Sequence, residues 1–230
     1  GLGEVLRETP MAPLDRIVLA QGRGRATVAL SAGGAIARDQ FDATLVRAAI
    51  EAGAQFLPGV SARATAQMAD GGNCNPSPQR LIEAHDHGQS RELSASVLIF
   101  ACGLGGGRVD KDSVNESIAP HARIGVGAII DDPPAAFTSR AIWMAIGRHG
   151  YVGAARLADG RLNLAAALDP NWMKSRGGPA GAISALLEQS HLPILTQATE
   201  IDWHGTPLLT RKSAQVAGWR WLLAGDAAGY

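Results

Sequence analysis

WLLAGDAAGY, residues 221–230, decides how this chain reads. Trp221-Leu222-Leu223 gives a short apolar strand, and Gly225-Asp226-Ala227-Ala228-Gly229 then removes nearly every bulky side chain. Small residues directly after a strand let a ligand approach the backbone, and such a turn normally opens a helix. The sequence stops at Tyr230 before any helix begins, and it starts with GLGEVLRETP rather than methionine. The expectation is therefore a fragment of a longer protein.

Composition narrows the function classes. The 230 residues are 46% hydrophobic and 18% charged, enough for a real core in one large or two small domains. Lysine plus arginine equals aspartate plus glutamate at 21 each, so no basic field draws in nucleic acid or an acidic bilayer. Cys74 and Cys102 are too few for a disulfide framework, and no apolar run reaches the roughly 20 residues of a membrane span. The expectation is a cytoplasmic protein with no nucleic-acid partner and no transmembrane segment, with peripheral membrane contact left open.

The clearest helix lies at 39–53, DQFDATLVRAAIEAG, with Phe41, Leu45, Ala48 and Ala52 at helical spacing, Asp39 as N-cap and Gly53 as the stop. Strands at 15–20 and 25–31 flank a glycine-containing turn ahead of it, and AQFL (54–57) reads as a strand after it. Three segments, 61–68, 79–86 and 95–102, then read as an antiparallel meander, the last one buried on both faces at VLIF. From residue 121 onward, strands at 122–130, 140–147, 151–160 and 161–168 form a second, largely antiparallel sheet with a hairpin at Asp159-Gly160. A helix opens at Pro179 with Ile183, Leu186 and Leu187 on its apolar face, and TRKSAQVA (210–217) returns as a strand.

Several constellations carry little. Gly103-Leu104-Gly105-Gly106-Gly107 follows an apolar strand, but the polar RVDKDSVNES after it is no dinucleotide-binding helix. His85 and His87 supply only two ligands, short of a metal site. Cys74 sits in a Gly/Asn/Pro loop without an electropositive setting, and Cys102 reads as a small hydrophobe. No G-x-S-x-G elbow occurs, and the five tryptophans read as core and interface residues. The residues alone therefore identify no catalytic side chain.

The order of the pieces is more telling than any one of them. Arg38-x-x-Phe41-Asp42-x-x-Leu45, Gly53-Ala54, a meander ending in Ala101-Cys102-Gly103, a separate antiparallel sheet and then a strand with Gly225-Asp226-Ala227-Ala228 follow in sequence. This succession resembles FAD-dependent oxidoreductases of the p-hydroxybenzoate hydroxylase and geranylgeranyl reductase type. The resemblance implies an α/β fold, α+β overall. It comprises a partial Rossmann-like FAD-binding domain with the meander (1–13 and 32–105), an antiparallel substrate domain (14–31 and 106–215), and a return strand with the Gly-Asp motif (216–230).

The same resemblance implies FAD as cofactor, NAD(P)H as electron donor, and a small apolar or aromatic substrate for a monooxygenase or reductase. It places Arg38, Gly103, Gly225, Asp226, Ala227 and Ala228 at the cofactor and implies no metal. Arg38 reads equally as a surface ion pair with Asp42. The family's N-terminal G-x-G-x-x-G unit has no counterpart in these residues, and Cys102-Gly103 stands where the family usually has Asp-Gly. A fragment of this kind is expected to be inactive alone. The alternative is a non-catalytic module that uses the antiparallel sheet as a ligand or partner platform.

Overall fold

The computed structural model describes residues 2–69, 79–86, 88–105, 116–195 and 201–230. Cys74 and His87 lie outside them. In chain order the elements are α1 (Leu2–Glu8), β1 (Met11–Pro13), β2 (Arg16–Gln21), β3 (Gly24–Ala29), β4 (Gly34–Ile36), α2 (Arg38–Glu51), β5 (Ser61–Ala69), β6 (Gln79–Asp86) and β7 (Gln89–Ala95). There follow β8 (Leu98–Phe100), β9 (Glu116–Ile118), β10 (Ile124–Ile130), β11 (Ala141–Gly147), β12 (Gly150–Arg156), β13 (Leu162–Leu168), α3 (Pro170–Ser175) and α4 (Pro179–Gln189). The chain closes with β14 (His204–Leu208), β15 (Arg211–Ser213), β16 (Ala217–Gly218) and β17 (Trp221–Leu223). Two compact units result, Gly1–Phe56 with Arg123–Gly205 and Leu57–Ala122 with Thr206–Tyr230.

The first unit is built on a large sheet in the order β10-β13-β12-β11-β2-β3, with β14 beside β10. All pairings from β10 to β11 are antiparallel, while β2 joins β11 in parallel, with Val18 opposite Trp143. The early hairpin thus extends the sheet formed by the later strands. Asp159-Gly160 makes the tight turn into β13, where Gly160 takes a φ of 89° that L side chains rarely adopt. α4 lies across β11 and β12, and Ile183, Leu186 and Leu187 are buried with Val152, Leu162, Leu164 and Leu168. Each fully buried side chain of this size contributes on the order of 1.5–3 kcal/mol. The helix sits so close that a Cβ added at Gly147 would stand 2.5 Å from Leu186 Cδ2.

Asp169 caps α3 by accepting from the Trp172 N–H at 2.8 Å, with Pro170 at the first helical position. α2 starts one residue before the expected Asp39 cap. Ala37 is its N-cap, and no side chain caps it. Thr44 is its single buried residue, so the anticipated apolar stripe is only half covered. AQFL forms no strand. A strand needs a neighbouring edge to pair with, and Phe56 is left exposed in this segment.

The second unit contains three small sheets. The meander is β5-β6-β7, antiparallel throughout, with a bulge between Ala64 and Met68. Its third strand is 89–95, not 95–102. The reason is local: QSRELSA is polar and mostly exposed, so it carries no apolar signal, yet its backbone completes the ladder. Leu98–Phe100 belongs to another sheet, in the order β16-β17-β8. It occupies an edge there, and Ile99 is 65% exposed rather than buried on both faces. The expected return strand at 210–217 is also broken, into β15 and β16.

Candidate functional site

β17 and β8 run parallel, pairing Trp221 with Leu98, Leu222 with Ile99 and Leu223 with Phe100. The ladder continues one step further, where Ala224 N–H donates to Phe100 C=O at 2.9 Å. Each strand then turns into a single 3₁₀ turn, Gly103–Gly105 after β8 and Gly225–Ala227 after β17, and the two turns lie against each other. Ligands of open sheets with parallel strands bind outside the carboxyl ends of those strands.

Both turns open on a left-handed glycine, with φ of 64° at Gly103 and 60° at Gly225. Among the described residues, no heavy atom other than those of the chain neighbours lies within 4 Å of where a Cβ would stand at either position. Neither glycine is therefore required by crowding from the protein itself. Both are required by the backbone, and both leave open space beside it. Ala228 N–H donates to Gly225 C=O at 2.9 Å and closes the second turn. Asp226 projects from that turn, exposed, and its carboxylate has no hydrogen bond or ion pair among the described residues.

A neighbouring strand holds this second turn in place. Arg211 N–H donates to Tyr230 C=O at 3.0 Å, Tyr230 N–H donates to Arg211 C=O at 2.9 Å, and Lys212 bridges Gly229. Ser213 Oγ donates to Ala227 C=O at 3.2 Å. The Arg211 guanidinium reaches the other turn, donating from Nη1 to Leu104 C=O at 3.1 Å and to both carboxylate oxygens of Glu116 at 3.2 Å.

Five of the six residues expected at the cofactor, Gly103, Gly225, Asp226, Ala227 and Ala228, are thus gathered on two touching turns of the second unit. The sixth, Arg38, opens α2 in the first unit, and its side chain is 86% exposed. Its Nε donates to both oxygens of Asp42 at 2.8 Å, the surface pair that the spacing also allows. Cys102 is exposed and not the small buried hydrophobe anticipated from its place after VLIF. No group of three or more potential metal-ligating side chains occurs among the described residues.

Sequence reasoning missed Arg211, Ser213 and Glu116. Arg211-Lys212-Ser213 read as an ordinary strand, and Glu116 sat in a polar stretch resembling a crossover. Only the long-range pairing reveals them.

No family model matches the chain, and no curated protein matches it in sequence. Solved structures match it in fold, and that fold is the one shared by flavin-dependent halogenases and hydroxylases. Among them are a flavoprotein/dehydrogenase from Cytophaga hutchinsonii, with 15% identity and a TM-score of 0.72 over the whole chain and 58% of that protein. The myxobacterial chondrochloren halogenase, described as FAD-dependent, matches with 14% identity and a TM-score of 0.72 over the whole chain and 56% of its own length. Aklavinone-11 hydroxylase, solved with FAD and aklavinone, matches with 17% identity and a TM-score of 0.63 over 98% of this chain and 46% of that one. The chain therefore spans about half the length of the flavoproteins it matches.

Proposed function

We propose that this chain is part of an FAD-dependent oxidoreductase that hydroxylates or reduces an apolar or aromatic substrate in the cytoplasm, with NAD(P)H as the electron donor. The observation that carries this reading is the pair of glycine turns at the ends of the parallel β8 and β17. The residues present suit a flavin. Left-handed Gly103 and Gly225 leave their backbones open, Ala227 and Ala228 add only methyl groups, and the unpartnered Asp226 carboxylate accepts from sugar-chain hydroxyls. FAD, when bound, supplies the redox chemistry, and the protein supplies position, a dry surface and electrostatics.

Arg38, in the other unit, is a separate candidate for an anionic group of the cofactor. Its exposed pair with Asp42 contributes only about 0.3–0.5 kcal/mol, so an anionic cofactor group competes for it easily. The substrate wall is the sheet face opposite α4. Alternation and register place Gly127, Ala165, Gly153, Ala155, Met144 and Ile146 there, a surface of small and apolar side chains suited to a flat, bulky molecule. Residues 1–230 contain no G-x-G-x-x-G phosphate loop, so by themselves they hold FAD weakly and are inactive.

Purifying the whole protein and titrating the flavin-free form with FAD tests the reading. A flavin spectrum and saturable quenching, weakened by Asp226→Ala, support it. A whole protein that neither carries nor takes up flavin overturns it in favour of a non-catalytic binding module.

A further inference from the structure

We propose that Arg211 is the positioning residue of the flavin site, a clamp that sets the spacing of the two glycine turns through one buried guanidinium. This rests on the flavin reading above and adds a role for a residue outside the turns. The side chains of Arg211 and Glu116 are only 9% and 15% exposed, whereas Arg16, Arg38, Arg47, Arg140 and Arg161, which also form ion pairs, are 36% to 86% exposed. From Nε, Arg211 donates to Leu208 C=O at 2.9 Å, and from Nη1 to Glu116 and to Leu104 C=O, the centre of the Gly103–Gly105 turn. From its backbone it exchanges two hydrogen bonds with Tyr230, immediately after the Gly-Asp motif. One residue therefore touches both turns, by its side chain on one and its main chain on the other.

The chemistry needs an arginine. A planar guanidinium with five fixed donors can satisfy Leu208, Leu104 and Glu116 at once, whereas a lysine ammonium on a flexible stem cannot span them. Glu116 neutralises the buried charge and fixes the plane of the fork. Neither side chain is assigned any contact with flavin. They act through the distance between Gly103 and Gly225, against which a rigid ring system must fit.

The test uses the whole protein with Arg211→Lys, which keeps the charge but loses the fork, and Glu116→Gln, which keeps the shape but loses the charge. Three quantities are read: the FAD dissociation constant, the visible circular dichroism of the bound flavin, and the melting temperature of the flavin-free form. The expected result is an FAD dissociation constant raised about tenfold in Arg211→Lys and less in Glu116→Gln, with altered circular dichroism in both. Unchanged affinity and dichroism in both variants, with Asp226→Ala still weakening FAD, overturns the clamp and leaves the flavin site standing. A lowered melting temperature with wild-type affinity and dichroism also overturns it, because a merely structural pair moves only the first. Wild-type protein without any flavin binding refutes the underlying reading instead.

Discussion

Arg38 Nε stands 2.8 Å from each carboxylate oxygen of Asp42, one helical turn further along α2. The pair is exposed and therefore exchangeable, which makes its disruption informative. Asp42→Asn should release the guanidinium and tighten FAD binding about twofold in the whole protein, from the modest strength of such pairs. Arg38→Ala should weaken it by about 1.5–3 kcal/mol, the range for hydrogen bonds to a charged group. Fluorescence titration reads both, and equal affinities for wild type and Arg38→Ala would confine the residue to a surface pair.

Asp226 has no competing partner among the described residues, so its loss should appear almost wholly in cofactor affinity. Asp226→Ala is expected to weaken FAD by about 1.5–3 kcal/mol while leaving the melting temperature of the flavin-free protein unchanged. A large drop in that melting temperature would mean that the carboxylate serves the fold rather than the ligand.

Gly225→Ala separates backbone strain from ligand approach. A side chain at a φ of 60° costs roughly 1–2 kcal/mol, while the added methyl meets no atom of the described residues beyond its chain neighbours within 4 Å. Denaturant unfolding of the flavin-free protein should show that cost alone. FAD affinity should fall further, because the methyl now stands where the ring must come. Affinity lost only in proportion to stability would argue against a ligand beside Gly225.

The contact of Gly147 with Leu186 makes a double-mutant cycle. Leu186→Ala removes a buried side chain and should cost about 2–5 kcal/mol, and Gly147→Ala should cost about 1–3 kcal/mol by overpacking. Combined, the two should cost less than their sum, since the truncated residue 186 leaves room for the methyl. Additive costs would show that α4 does not ride on Gly147 in solution.

Two carboxylates contribute to the acid limb of stability. The Arg140 hydrogen bond, helped by Arg140 and Arg16 charge, holds Asp15 below its ordinary value of 3.8, and the Arg161 hydrogen bond does the same for Asp159. A depressed folded pKa means that the stabilisation is present above the unfolded value and is lost as pH falls through the folded one. Melting temperatures should therefore not vary on account of these groups between pH 5 and 7, and should drop below about pH 4. Asp15→Asn should flatten that drop, and an unaltered acid limb would show that the pair is not held in solution.

What the sequence disclosed and what it hid follow from the range of the interactions. The turn at Asp159-Gly160, the helix behind Pro179 and the glycine turns at Gly103 and Gly225 were legible because each is dictated by residues within a few positions. Gln89–Ala95 was hidden because a polar edge strand owes its existence to the ladder of its neighbour, not to apolar alternation. VLIF looked buried on both faces because apolarity alone does not reveal that a strand lies at an edge. Arg211 and Glu116 were invisible as a pair, since nothing near either residue announces a partner 95 positions away.

Arg220 Nη1 donates to Ser96 C=O across 124 residues, at the start of the same parallel ladder that brings β8 beside β17. The intervening chain includes 123–205, which makes a compact unit of its own with the N-terminal residues. Closing so long a loop loses chain entropy before any contact offsets it, and non-local parallel pairing is slow for that reason. The expected order of events during refolding follows from this: the β10–β13 sheet should gain protection from hydrogen exchange first, and the amides of Trp221–Leu223 last. The glycine turns cannot face each other until that final step, so on the flavin reading proposed above cofactor uptake should appear only when the chain has finished folding.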